Sequence, residues 1–147
     1  MKKIIFLLLA ALAVSAAAGI FTYQQIAWQP FEQVLQYQPE NITHLRFTNN
    51  THGLTENTYE PEDIREFLAW FDGVKLKKAE EMTWANENGM CFYVTLFDET
   101  GDQTAHFICG NDKIGDLVHQ VWYRMDTVIS DEQLTDLYKK YHIDYDL

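Results

Sequence analysis

Positive charge is what this chain has least of. Its 147 residues carry 11 Lys and Arg against 22 Asp and Glu, a formal net charge of −11. Nucleic-acid backbones and anionic lipid surfaces both need a basic footprint, so this balance argues against either as a partner. Cysteine is almost as scarce: Cys91 and Cys109 are the only two. No cysteine–histidine zinc tetrad can be drawn with them and the scattered histidines, and their separation is not the CxxC spacing of a redox-active pair. Catalytic signatures are missing as well. The sequence contains no G-x-S-x-G elbow, no P-loop and no H-E-x-x-H helix. Residues scattered along a chain still meet in space, so these absences weaken an enzymatic reading without closing it.

What is present begins with a targeting pattern. Lys2 and Lys3 precede an uninterrupted apolar run from Ile4 to Val14, and Ser15 to Gly19 supply small residues with Ala16 and Ala18 spaced as an A-x-A cleavage site. The same run, extended to Phe21, spans ~27 Å as a helix and also fits an uncleaved anchor with its lysines inside. Residues 1–21 therefore read as a signal peptide or an N-terminal membrane anchor, and membrane contact is expected only in the second case. Both versions place the remainder outside the cytoplasmic membrane, secreted or anchored. Residues 22–40, rich in Gln and aromatics, read as a stalk. Residues 41–147 read as one exported domain, and the exported part as a whole, without Lys2 and Lys3, is more acidic than the full chain.

In that domain the sequence predicts an α+β fold: an antiparallel sheet of four to five strands with two amphipathic helices packed on one face. ITHLRFTNN alternates as a strand, with Thr43, Leu45 and Phe47 on one side. YEPEDIREFLAWFDGV is the strongest helix: Pro61 suits the first position, and Ile64, Phe67, Leu68 and Phe71 form one stripe. Tyr59 is placed to staple onto Ile64. VKLKK alternates as a charged edge strand, and a further strand is expected from His119 to Met125. ISDEQLTDLYKKYHI closes the domain as a helix with a Ser130–Gln133 capping box and the stripe Leu134, Leu137, Tyr138, Tyr141.

Between VKLKK and the His119–Met125 strand lies MCFYVTLFDETGDQTAHFIC. Asp98 to Asp102 reads as a three-residue hairpin loop with Gly101 in the left-handed position. Closing Asp98 on Asp102 sets a register in which paired numbers sum to 200, so Leu96 faces Thr104 and Cys91 faces Cys109. Opposed cysteines on neighbouring strands lie within disulfide range, and such a bond would add ~3 kcal/mol at most. The expectation is a Cys91–Cys109 disulfide.

No catalytic residue, metal ligand or cofactor site is assigned. The histidines at 44, 52, 106, 119 and 142 are scattered, with no i, i+4 pair. Asp98, Glu99 and Asp102 at the hairpin tip do not follow an EF-hand spacing and read as a solvated turn. Trp70 lies off its helix stripe, Trp84 sits in a polar connection, and Trp122 lies in the last strand. Together they form the candidate binding surface, set against the plainer possibility that they fill the core.

The MKK start, the lone apolar segment and the segments ITHLRFTN, EPEDIREFLAWF, GMCFYVTLFDETGD and ISDEQLTDLYKKYHI resemble small exported cell-envelope domains of unknown function from Gram-positive bacteria. The resemblance covers roughly residues 40–145 as an order of elements, and it implies an envelope location but no site residue. The expected function is a non-enzymatic exported domain that binds a protein or wall component. The alternative is a small envelope hydrolase whose site is assembled in space.

Overall fold

The computed structural model describes residues 2–49, 53–79 and 91–141. Eight strands form one antiparallel sheet: β1 (Gln29–Pro30), β2 (Ile42–Asn49), β3 (Thr55–Thr58), β4 (Lys75–Lys78), β5 (Phe92–Asp98), β6 (Gln103–Cys109), β7 (Lys113–Asp116) and β8 (Val121–Met125). Their order across the sheet is β1-β4-β8-β7-β6-β5-β2-β3. Four helices accompany them: α1 (Lys2–Ile26), α2 (Phe31–Leu35), α3 (Pro61–Ala69) and α4 (Asp131–Lys140).

This corrects the expected four to five strands with two helices. The fold is mostly β, and the extra strands are the ones without an apolar rhythm. β3 is Thr-Glu-Asn-Thr and is held by backbone pairing to β2. The strand expected from His119 to Met125 is β8, starting at Val121, and an unexpected β7 precedes it, the chain turning between them through residues 117–120 with Gln120 at φ 56°. His119 accordingly sits in that turn and not in a strand. β1 gives β4 a short partner, so Lys75–Lys78 lies one place in from the sheet edge.

One face of the sheet is packed. Alternation sends Leu45 and Phe47 of β2, Phe92, Val94 and Leu96 of β5, Phe107 and Cys109 of β6, and Ile114 of β7 to the same side, where all are buried. The helices meet the sheet there through rings. Phe67 of α3 lies edge-on to Phe47 at 4.9 Å, Tyr141 after α4 stacks on Phe47 at 4.2 Å, and Phe31 of α2 meets Phe107 at 5.6 Å. Phe31 is fully buried and stacks on Phe71 at 4.2 Å, so the packed unit takes in chain from well before residue 41.

Both long helices of the domain form for local reasons. α3 starts on Pro61 with Glu62 and Asp63 in its first turn and buries Ile64, Phe67 and Leu68. α4 carries the full capping box: Gln133 N–H donates to Ser130 Oγ at 3.2 Å, and Ser130 N–H donates to Gln133 Oε1 at 3.0 Å. Lys140 Nζ clamps the two helices, at 2.9 Å from Asp63 and 2.8 Å from Glu66. Tyr59 does not staple α3; it is exposed and stacks on His44 at 4.2 Å.

The expected disulfide is absent, and the hairpin shows why. Near the turn the reading is right: Asp98 N–H donates to the Asp102 carbonyl, Gly101 adopts φ 82°, and Phe97 pairs with Gln103. A bulge at Thr104 then inserts one residue, so Leu96 pairs with Ala105 and Phe92 with Cys109. A one-residue slip changes every partner beyond it. Cys91 falls just outside β5, and both cysteines are free thiols.

The transmembrane reading is also corrected. Among the described residues no helix is long and apolar enough to cross a membrane. α1 is 25 residues long, yet its strongly apolar run stops at Val14 and is followed by Ser15, alanines and Gly19.

Candidate functional site

The second face of the sheet carries the candidate site. Its side chains are fixed by the same alternation: His44, Arg46 and Thr48 on β2, Asn57 and Thr55 on β3, Tyr93, Thr95 and Phe97 on β5, and His106 and Ile108 on β6. Farther across stand Gly115, Trp122, Lys113, Arg124 and Lys77. The rings that join the helices to the sheet all belong to the opposite face.

Arg46 is the centre of a built arrangement. Its Nε–H donates to Asn57 Oδ1 at 3.2 Å, and its guanidinium lies 5.0 Å from the Phe97 ring centroid. The same Asn57 oxygen accepts from His44 Nε2 at 2.9 Å, which places the His44 proton on Nε2. His44 is sandwiched between Tyr59 at 4.2 Å and Phe97 at 4.5 Å, in near-parallel stacks. Among the described residues no carboxylate pairs with Arg46, so its terminal nitrogens keep donor capacity. Beside it, Tyr93 stands edge-on to His106 at 6.3 Å, and Thr48 and Thr55 share a hydroxyl–hydroxyl bond of 2.9 Å. Partial burial, and then the neighbouring Arg46 charge, push the His106 pKa below its ordinary 6.5.

Arg46, Asn57, Tyr93, His106 and the hydroxyls of Thr48, Thr55 and Thr95 line an open depression of about 980 Å³, counting the solvent it holds, against about 330 Å³ for a cleft between α3 and α4. The larger concavity is also the polar one. It offers a guanidinium, an imidazole, an amide and several hydroxyls at once.

The three tryptophans named from the sequence do not form one surface. Trp70 packs on Phe67 at 5.8 Å and lines the α3–α4 cleft, on the helix side of the sheet. Trp122 lies on the second face, across from Gly115. Trp84 falls outside the described residues, as do His52 and His142. His44 and His106 do share the second face, whereas His119 stands apart from them. Its Nδ1–H donates to Asp116 Oδ2 at 2.7 Å, and Asp116 Oδ1 accepts the Val118 and His119 amides at 2.9 and 3.1 Å. Asp116 thereby holds the β7–β8 turn. Among the described residues no hydroxyl or thiol bonds to His119, and none holds a group of three or more candidate metal ligands.

Sequence reading missed Arg46, Asn57, Tyr93 and Thr95. A signal was available: the outward positions of ITHLRFTN are His44, Arg46 and Thr48, with no acid among them. No protein-family model, no curated protein and no solved structure matches this chain.

Proposed function

We propose that this protein is a non-enzymatic binding module of the cell envelope, and that it binds a wall component or protein through the second face of its sheet. The observation that carries the reading is the Arg46 arrangement: a cation held by Asn57 and Phe97, with donor capacity left over, on a face bordered by aromatic rings. An Arg is fixed this way at the cost of its own entropy, which a bound acceptor repays. The amino-terminal pattern of Lys2, Lys3 and the apolar run to Val14 supports export, as does the resemblance to exported envelope domains.

The test is co-sedimentation with purified Gram-positive cell walls, comparing the wild type with Arg46→Glu/Tyr93→Ala and with Trp70→Ala. The expected result is loss of sedimentation in the first variant and retention in the second. Sedimentation unaffected by the first variant, or lost in the second, would overturn the placement of the site. The hydrolase alternative has one observation in its favour, the 2.7 Å Asp116–His119 pair. Its weakness is the want of a hydroxyl partner for His119 among the described residues.

A further inference from the structure

The strand registers set Asn57, Arg46, Thr95 and His106 directly opposite one another on β3, β2, β5 and β6. All four line the depression on the second face. Thr95 is its buried member. It is 6 % exposed, and among the described residues its hydroxyl has no hydrogen-bond partner. A buried hydroxyl without a partner costs stability, and folded proteins hold few of them. One that stands in a depression points to a ligand that supplies the missing bond.

The two neighbours of Thr95 define that ligand. Arg46 stands ~5 Å away on one side, at the ordinary strand spacing. Asn57 takes its Nε–H, and the terminal nitrogens keep their donor capacity. His106 stands on the other side, with no hydrogen bond to its ring among the described residues. Partial burial and the Arg46 charge hold its imidazole neutral at pH 7, with one nitrogen a donor and the other an acceptor.

One full positive charge therefore faces the depression from this row. That matches a monoanion and falls short of a phosphate dianion or a polyanion. A carboxylate takes two parallel N–H bonds from a guanidinium and keeps lone pairs for the Thr95 O–H. The acceptor nitrogen of His106 is then left for a donor close to the acid group.

We infer that the depression recognises a single carboxylate with an N–H or O–H donor on the neighbouring carbon, the acid held by Arg46 and Thr95 and the donor by His106. This rests on the binding-module reading and narrows its ligand. Two sources share the chemistry: the C-terminal residue of a peptide and a 2-hydroxy acid.

The experiment is an NMR titration of the isotope-labelled full chain with N-acetylalanine, lactate, the methyl ester of each, propanoate and inorganic phosphate. Expected are saturable shifts at Arg46, Thr95 and His106 with N-acetylalanine or lactate, the tighter of the two naming the source. The ester should bind more weakly by roughly ten-fold or more, and propanoate, which lacks the donor, by roughly three-fold or more. Arg46→Gln and Thr95→Val should each weaken the preferred acid by roughly ten-fold. Thr95→Val should also raise the urea midpoint of the free protein, because the isostere removes the unpartnered hydroxyl. A merely structural hydroxyl would lower it.

Equal binding of the ester or propanoate, phosphate binding as tightly as the acids, or either variant without effect on binding would each overturn the inference. So would a lowered midpoint in Thr95→Val. If neither acid binds while Arg46-dependent wall sedimentation persists, the carboxylate inference falls and the binding module stands. If sedimentation is itself indifferent to the second face, the module reading falls.

Discussion

Trp122 occupies the space that a side chain at Gly115 would need. The two residues are cross-strand partners on β8 and β7, and a Cβ at Gly115 would lie 1.9 Å from the indole Cζ3 and 2.6 Å from Ile108 Cγ2. A glycine in a strand interior costs backbone entropy, and here an aromatic ring laid over it recovers buried area. Gly115→Ala should destabilise the fold by about 1–3 kcal/mol, since the ring must swing out or the strands must part. Urea unfolding followed by tryptophan emission checks this, with a red shift expected in the native baseline.

The thiols give a second prediction. Cys109 is fully buried and its pKa is pushed up, by burial first and by nearby Cys91 second, while Cys91 is half-buried. Alkylation of the native protein without reductant should modify Cys91 ahead of Cys109, and denaturant should release both. Intact mass reads the outcome. A two-dalton deficit with no label in denaturant would mean that a disulfide forms after all.

Lys140 supplies a test of sign. Its hydrogen bonds to Glu66, and then to Asp63, raise its pKa above the ordinary 10.5. A raised folded value means that the clamp's contribution is fully present below pH 10.5 and is lost as pH rises through the folded pKa. The groups are largely solvated, so Lys140→Met should cost no more than about 1 kcal/mol. The difference between wild type and variant should hold constant from pH 7 to about pH 10 in chemical denaturation. It should shrink in high salt.

His106 provides the opposite case. Its folded pKa is depressed, so its contribution to stability is present above pH 6.5 and fades as pH falls through the folded value. Burial is the larger cause and Arg46 the smaller. In an NMR titration of the imidazole resonances, His106 should titrate below 6.5, and Arg46→Gln should raise it only part of the way back.

The helices and the turn at Asp98–Asp102 were legible because their signals are local: an apolar stripe, a capping box, a Gly in the left-handed position. The Thr104 bulge was not, since one inserted residue leaves no mark on an alternating sequence yet reassigns Cys109 to Phe92. β3 escaped because its four polar residues have no rhythm, and the β7–β8 turn because Gln120 takes a positive φ without being Gly or Asn. The site was the least legible part. His44, Arg46, Asn57 and His106 come together only through the registers of four strands, which composition does not carry. Net charge misled in the same way: a chain of −11 still places Arg46, Lys75, Lys77, Lys113 and Arg124 on one face of its sheet.

The most direct measurement is an amide-shift map of the isotope-labelled protein titrated with soluble cell-wall fragments. The account predicts shifts concentrated on β2, β5 and β6 around Arg46, Tyr93 and His106, with the α3–α4 cleft around Trp70 unmoved. Shifts centred on that cleft, or on the Asp116–His119 turn, would contradict it.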